Sequence, residues 1–159
     1  MVGGDYLTKW KKENLLRASA QSIIDESLGK TDQLLNYSFN EPWLIRTTEI
    51  LDVFSKTDTH FSDVSVIIAD TVDNTPVFLS FRRYSGSLKD TIAPKKIDFI
   101  MQTTIDERDY LEGIFFSNLL KERFSSHDGK YEFFYPYRKD DKVIVLYFSD
   151  FQRYGKIGR

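Results

Sequence analysis

The chain has 159 residues, 22 basic and 24 acidic side chains, a formal net charge of −2 and 41% hydrophobic residues, which is the composition of one globular domain. Aromatic residues make up 15% of the chain, with 13 Phe and 9 Tyr, and this content argues against a disordered protein. The chain has no Cys, so disulfides, Cys-based zinc sites and thiol nucleophiles are excluded.

Residues 5–28 are predicted to form a first helix. Its apolar positions recur at steps of three and four residues, namely Leu16, Ala20, Ile23 and Ile24. Leu7 and Trp10 do not continue this apolar stripe in good register. The first turns are therefore expected to project from the body of the protein and to contribute to an interface. We therefore expect a separate N-terminal segment, residues 1–30, followed by a polar linker over residues 31–40.

The next predicted element is a helix that begins at the N-cap Asn40 and continues to about Lys56. Residues 63–72 and 77–84 alternate apolar and polar side chains around a turn, which predicts a β-hairpin. Residues 97–103 alternate again and predict a third strand.

Thr104 and Glu107 have the spacing of a capping box, which predicts a helix over residues 106–124. Residues 131–137 and 142–149 then predict a second hairpin. The second of these stretches is almost continuously apolar, which is typical of a central strand covered on both faces.

The order of these elements is α-α-β-β-β-α-β-β. Because the strands come as hairpins and do not alternate with helices, the sequence predicts an α+β fold, with a mainly antiparallel five-stranded sheet and helices packed on the sheet. Residues 31–150 are expected to form this single domain, and residues 151–159 a basic C-terminal tail.

One strand of the second hairpin is aromatic on both faces, because side chains alternate along a strand. One face carries Tyr131, Phe133, Tyr135 and Tyr137, and the other carries Phe134. The side chains of this strand can be covered by the first helix, by a second copy of the chain or by a partner. Tyr-rich surfaces are typical of interfaces. The alternative is that both faces of the strand lie in an entirely internal core. The predicted interface consists of Leu7, Trp10, Tyr131, Phe133, Tyr135 and Tyr137.

Residues 81–100 carry five basic and two acidic side chains and form a basic segment around a predicted loop. Such a segment can bind phosphate groups or an acidic protein, and a neighbouring Tyr can stack a base. The candidate binding residues are Arg82, Arg83, Tyr84, Lys95 and Lys96. The alternative is a charged strand edge that prevents aggregation, and the pI of about 5.7 argues against nucleic-acid binding.

No catalytic constellation is recognisable in the sequence. The two His residues, His60 and His127, lie in predicted loops outside any motif, and a Ser nucleophile elbow and a Gly-rich phosphate loop are both missing. We therefore predict no catalytic residues, no metal site, no cofactor and no enzymatic activity. The chain also lacks an apolar run of the roughly 20 residues that a membrane span requires, so we expect a cytoplasmic or otherwise intracellular protein without membrane association.

Ser62-Asp63-Val64 and Ser80-Phe81-Arg82 lie in the first predicted hairpin, and the order from residue 40 onward is α-β-β-β-α-β-β. This order resembles the secretion-chaperone type of small acidic dimer, which usually has a further helix that is not predicted here. It also resembles the restriction-endonuclease-like core, whose active members carry PD-(D/E)-x-K, with carboxylates that hold magnesium and a lysine that positions the attacking water. Asp63 matches the first part of that motif, but Ser80 and Arg82 stand where the second carboxylate and the lysine belong, so the resemblance implies a catalytically inactive core.

Two expectations about function follow. The first is a non-enzymatic protein-binding module, adaptor- or chaperone-like or a subunit of an assembly. It would act through its aromatic and basic patches on another protein or on a second copy of itself as a homodimer. The alternative is a nucleic-acid-associated protein with a degenerate, inactive restriction-endonuclease-like core that uses residues 82–96.

Overall fold

The computed structural model describes residues 2–83 and 93–151, with side chains from Thr8 onward. Within these residues the helices are α1 Val2–Glu26, α2 Leu28–Leu35, α3 Glu41–Thr57 and α4 Ile105–Phe116. The strands are β1 Asp63–Val72, β2 Thr75–Arg82, β3 Arg123–His127, β4 Lys130–Lys139 and β5 Lys142–Phe151. A short 3-10 helix, Lys96–Phe99, precedes α4. The predicted basic tail beyond Phe151 lies outside the described residues.

The five strands form one antiparallel sheet in the order β2-β1-β5-β4-β3. The predicted α+β class and the five-stranded antiparallel sheet are confirmed, and the two predicted hairpins are β1–β2 and β4–β5. β5 occupies the centre of the sheet, as its almost continuous apolar sequence predicts. Val145 and Leu146 point to opposite faces of the sheet, and both are fully buried.

The first turns of α3 and α4 are capped by the residues that the sequence indicates. Asn40 Oδ1 accepts a hydrogen bond from the backbone N of Trp43 at 2.8 Å. The hydroxyl of Thr104 accepts from the backbone N of Glu107 at 3.2 Å, and the Glu107 carboxylate accepts from the backbone N of Thr104 at 2.9 Å. The predicted N-cap and the predicted capping box are therefore confirmed.

Residues 97–103 do not form the predicted third strand. They contain part of the 3-10 helix and a single β-bridge between Ile100 and Leu79. Asp98 fixes the turn, because its Oδ2 accepts from the Lys95 backbone N at 3.0 Å and its own N donates to the Lys95 carbonyl at 2.9 Å. Such local bonds compete with strand pairing. The fifth strand of the sheet is instead β3.

The helix predicted over residues 106–124 is shorter than expected, because residues 117–124 are not helical. Asn118 adopts a left-handed φ of 57°. The N–H groups of Ser117 and Leu119 both donate to the Gly113 carbonyl, at 3.1 and 2.9 Å. This is a left-handed helix C-cap, and it turns the chain away from the axis of α4 and towards β3.

The predicted linker over residues 31–40 is also partly helical. α2 begins directly after Ser27, and Thr31 Oγ1 donates to the Ser27 carbonyl at 3.0 Å. Thr31 and Leu34 are buried, so α2 packs as part of the core and is not a polar connection. The helix predicted over residues 5–28 accordingly divides into α1 and α2 at Ser27.

Helices cover both faces of the sheet. α1, α2 and α3 lie on one face, where the larger core cluster surrounds Phe133 and Phe148. α4 lies on the other face, where Leu111 and Ile114 pack around Phe134. The chain thus forms three layers, with the sheet in the middle.

The doubly aromatic strand β4 is covered by helices of the same chain. On one face, the guanidinium of Arg17 in α1 lies 5.9 Å from the ring centre of Phe133. On the other face, the rings of Phe134 and Tyr110 in α4 are 5.5 Å apart. The first helix therefore covers the Phe133 face of this strand, as one of the three alternatives predicts.

Prolines lie at both edges of the sheet. β3 pairs with β4 only as far as Phe134, which leaves the second half of β4, with Pro136, at one edge. At the opposite edge, β2 contains Pro76. Proline lacks the N–H that a further strand would bond, so it is tolerated at edge positions.

α1 belongs to the core cluster of the domain. Its buried side chains are Leu16, Ala20, Ile23 and Ile24, and they share one cluster with residues of α3 and the sheet. The predicted division at residue 30 therefore crosses a continuous core.

Leu16→Ala is expected to lower the free energy of unfolding by about 2–5 kcal/mol, the usual cost of truncating a buried Leu, because Leu16 is fully buried. Trp10→Ala is the control on the same helix, and it should change the free energy by less than about 0.5 kcal/mol because Trp10 is 58% exposed. Urea denaturation followed by circular dichroism measures both. An equally small effect of Leu16→Ala would mean that α1 is a detachable segment.

Lys12 links α1 to the end of the central strand β5 through side-chain hydrogen bonds. Its Nζ donates to the Asp150 carboxylate and to the His60 carbonyl, and Ser62 Oγ donates to the other oxygen of Asp150. Burial raises the pKa of Asp150, but the hydrogen bonds from Lys12 and Ser62 outweigh burial and hold this pKa below its ordinary value. The contact therefore links the docking of α1 to the charge of one buried carboxyl.

Stability should depend on pH through this contact. A carboxyl whose pKa is lowered by folding stabilises the fold above its unfolded pKa of about 3.9, and the contribution is lost as pH falls through the lower folded pKa. Lys12→Met is therefore expected to destabilise the protein at neutral pH, and this effect should become smaller as the pH falls below the unfolded pKa of about 3.9. Urea titrations across this range test it, and a Lys12→Met effect that does not change with pH would contradict it.

Candidate protein-binding surface

The predicted basic candidates are spread along the edge of the sheet. Arg82 is exposed and lies opposite Ser65 on β1. Lys96 forms an ion pair with Asp70 at 3.1 Å. Ser65 and Asp70 are separated by about 17 Å of strand, at roughly 3.4 Å per residue, so Arg82 and Lys96 do not share one phosphate site.

The remaining basic candidates add little positive charge to this region. Arg83 pairs with Asp52 of α3 at 3.3 Å, which neutralises it. Lys95 is exposed, and Tyr84 lies outside the described residues. Acidic neighbours thus partly neutralise the positive charge of the basic segment.

The endonuclease-like motif residues share one face of the first hairpin. Asp63 opens β1, and the register places Ser80 and Arg82 on the same face as Asp63. The third strand in the order α-β-β-β-α-β is represented only by the bridge at Ile100. In residues 2–83 and 93–151, no group of three His, Cys, Asp or Glu side chains is placed to hold a metal ion.

His60 lies beside a Ser and an Asp, but the arrangement is not a catalytic triad. Ser19 Oγ is 3.3 Å from His60 Nδ1, and Asp58 Oδ1 is 2.9 Å from the same nitrogen. In a triad the Ser and the Asp contact opposite nitrogens of the ring, so that the base can pass a proton between them.

The predicted aromatic interface does not come together as one surface. Tyr131 and Phe133 are buried under α1, so they are core residues and cannot meet a partner while α1 is docked. Tyr135 and Tyr137 are half-buried and pack against the same cluster. Trp10 is exposed, as predicted, and the side chain of Leu7 lies outside the described residues.

A groove that was not predicted lies between α4 and the start of β2. Its volume is about 280 Å³. We name it the α4 groove, and its lining consists of Thr75, Pro76, Val77, Phe78, Ile100, Met101, Thr103, Arg108, Glu112 and Phe116. Arg108, Glu112 and Phe116 recur at steps of four residues, so α4 contributes one continuous stripe to the wall. Phe116 is 59% exposed, and its ring lies 6.1 Å from that of Phe78.

Exposed apolar side chains are concentrated in the stretch of chain that contains α4. Ten large hydrophobic residues are exposed in the described chain, and six of them lie between residues 97 and 120. These six are Ile97, Ile100, Ile105, Phe116, Leu119 and Leu120. The stretch from residue 97 to residue 120 therefore carries most of the large exposed apolar side chains of the described residues, and two of them, Ile100 and Phe116, line the α4 groove.

The left-handed cap at Asn118 positions Leu119 and Leu120 beside α4. Leu119 folds back over the end of α4, where its Cδ2 lies 3.1 Å from the point that a Cβ on Gly113 would occupy. The hydroxyl of Tyr110 donates to the Lys121 carbonyl at 2.5 Å, and burial raises the pKa of Tyr110, so this donor stays protonated. The segment with Leu119 and Leu120 is thereby held beside α4.

The sequence did contain a signal for this surface. Leu111, Ile114 and Phe115 already form the inward face of α4, and Phe116 and Leu120 extend the apolar residues around the helix. An apolar face of this width is also typical of a deeply buried helix. A 12-residue helix on one side of a sheet cannot bury its whole circumference, so the additional apolar residues face outward.

Comparison of the chain with protein-family models, with curated proteins and with solved structures gives no match. Among the described helices, none is both long enough and apolar enough to cross a membrane.

The dispersed basic residues predict weak, nonspecific binding to nucleic acid. Fluorescence anisotropy with duplex and single-stranded oligonucleotides at two salt concentrations measures it, since each phosphate contact adds about −0.9 to the salt slope on duplex. We expect no binding of micromolar strength at physiological salt. Tight binding that Arg82→Glu weakens would instead favour the nucleic-acid alternative.

Proposed function

We propose that this protein is a non-enzymatic protein-binding module, either an adaptor- or chaperone-like protein or an assembly subunit. In this proposal its contact surface is the α4 groove together with Leu119 and Leu120. The observation that carries the proposal is the concentration of exposed large apolar side chains around α4. Contiguous exposed apolar surface with a polar rim is typical of protein interaction sites.

The size of the groove favours a side chain over a small-molecule ligand. A volume of about 280 Å³ is below the roughly 300–1,000 Å³ of most ligand pockets. Phe78, Ile100 and Phe116 suit a single large apolar anchor, as in the central pockets of many interfaces. Arg108 and Glu112 offer one charge of each sign to the residues that flank this anchor.

Main-chain pairing with β2 contributes little to such a contact. The backbone N of Met101 already donates to the Phe78 carbonyl at 3.0 Å, and Pro76 has no N–H to offer. The preferred partner is therefore a polypeptide segment that docks through side chains, with one large apolar residue between charged neighbours.

Selection of random peptides on the immobilised full chain tests this proposal. Enriched peptides are expected to share a large apolar residue and to bind Phe116→Glu at least tenfold more weakly, a loss of about 1.4 kcal/mol. Val53→Glu is the matched control, because Val53 is an exposed apolar residue of α3 on the opposite face. Peptides that bind both variants equally well would refute the α4 groove as the contact surface.

Self-association is distinguished by sedimentation velocity on the same variants. If a second copy of the chain is the partner, the wild type should dimerise, and Phe116→Glu should lower the dimer fraction whereas Val53→Glu leaves it unchanged. A dimer that both variants preserve would place the contact elsewhere and contradict this use of the groove.

A further inference from the structure

The sheet face that carries α4 has a polar half beyond the apolar residues covered by the helix. The register sets two neighbouring rows of side chains across the three central strands. One row is Ser65, Tyr147 and Phe134, and the next is Asp63, Ser149 and Glu132. Strand alternation directs all six to the same face, since Phe134 packs against α4.

Glu132 is a buried carboxylate that forms no ion pair within the described residues. Its exposed fraction is 8%, and it accepts a hydrogen bond from the hydroxyl of Tyr147. No Lys, Arg or His side chain in the described part of the chain forms an ion pair with it. Buried Glu is normally paired, because removing its charge from water is costly without a counter-charge. The group that this position lacks is therefore positive.

Two Ser hydroxyls on the same face lack hydrogen-bond partners. The residues Ser65 and Ser149 are both more than nine-tenths buried, and within the described residues neither hydroxyl takes part in a hydrogen bond. Neither oxygen is among the fully enclosed atoms without a partner, so both remain open to contact with a bound group. Two unpartnered hydroxyls next to an unpaired carboxylate indicate a site for a ligand that donates several hydrogen bonds.

Asp63 completes this arrangement on the other side of Ser149. Asp63 and Glu132 are separated by two strand spacings, or about 10 Å between their backbones. A donor group placed above Ser149 therefore lies between the two carboxylates and next to both rows.

We propose that this polar half of the sheet binds an organic cation, an ammonium or guanidinium group, above Ser149 and between Asp63 and Glu132. Carboxylate and hydroxyl oxygens accept the N–H bonds that such a group donates. The rings of Tyr147 and Phe134, 4.9 Å apart, border the site and suit a cation near an aromatic face.

A divalent metal ion fits this arrangement less well. Calcium takes six to eight oxygen ligands, and magnesium requires octahedral coordination. The two carboxylates stand on strands that are not neighbours, and no three metal-ligating side chains converge within the described residues.

The electrostatics of Tyr147 support a cation site. Burial raises the pKa of Tyr147, the bond to Glu132 raises it further, and the charges of Glu107 and Asp63 act in the same direction. The hydroxyl therefore stays protonated and continues to donate to Glu132. The three carboxylates around it also create a negative potential that attracts cations.

Basic side chains on this face stand at its margins. Arg82 is on the edge strand β2, Arg123 and His127 are on the edge strand β3, and Lys130 and Arg138 lie near the two ends of β4. Lys130 is the nearest of these to Glu132 along a strand. Replacing Lys130 therefore shows whether its ammonium group already neutralises the charge of Glu132.

Titration of the isotope-labelled full chain with agmatine, which carries one guanidinium and one ammonium group, tests the proposal by NMR. Saturable shifts are expected for the amides of Ser65, Glu132 and Ser149, and 1,4-butanediol, a neutral molecule of similar length, should produce none. Glu132→Gln keeps the shape and the bond to Tyr147, and it should weaken agmatine binding at least tenfold. Glu49→Gln, an exposed carboxylate of α3 on the opposite face, should leave it unchanged.

A second probe distinguishes a cationic side chain of a partner protein from a free amine. Tighter binding of an acetylated, amidated Gly-Arg-Gly peptide than of agmatine would identify a side chain of a partner protein, and the reverse would identify a free amine; both support the site. Lys130→Met should change agmatine affinity less than threefold. The proposal is overturned by absent saturation, by equal affinity of Glu132→Gln, by a preference for magnesium chloride, or by more than tenfold tightening in Lys130→Met.

Discussion

The two-sided burial of β4 and β5 is the constraint on which the rest of the structure depends. Phe133 and Phe134 are neighbours in sequence, point to opposite faces and are both fully buried. Because neither face can be left to water, a helical layer is required on each side. α1 with α2 and α3 supplies one layer, and α4 supplies the other.

Strong periodicity and capping chemistry made much of this fold predictable. The hairpins, the central position of β5, and the starts of α3 and α4 depend on patterns within a few residues of each other, such as Asn40 before Trp43. What was missed depends on single backbone conformations or on weak patterns. Asn118 ends α4 through a left-handed φ that periodicity does not reveal, and Asp98 replaces a strand by a turn. β3, with sequence RFSSH, has almost no apolar alternation.

The candidate sites were less predictable than the fold, because they are assembled by register. Ser149 and Glu132 are 17 positions apart in the sequence and become neighbours only when β4 and β5 pair. The α4 groove likewise combines Phe78 with Phe116, which no sequence motif connects. Tyr131 and Phe133, which the sequence pattern predicts as interface residues, are instead part of the core. Composition identifies unusual residues, but the tertiary arrangement decides which of them face outward.

The prolines at the sheet edges have a consequence for how this protein can associate. An apolar surface next to an open strand edge favours open-ended polymerisation, since each added chain presents a new edge to the next. Pro76 and the bridge at Ile100 close one edge, and Pro136 interrupts the other. If the protein binds a partner through α4 as proposed, these features disfavour the addition of further chains at the sheet edges. An exposed apolar helix face is then compatible with a chain that does not polymerise through its strands.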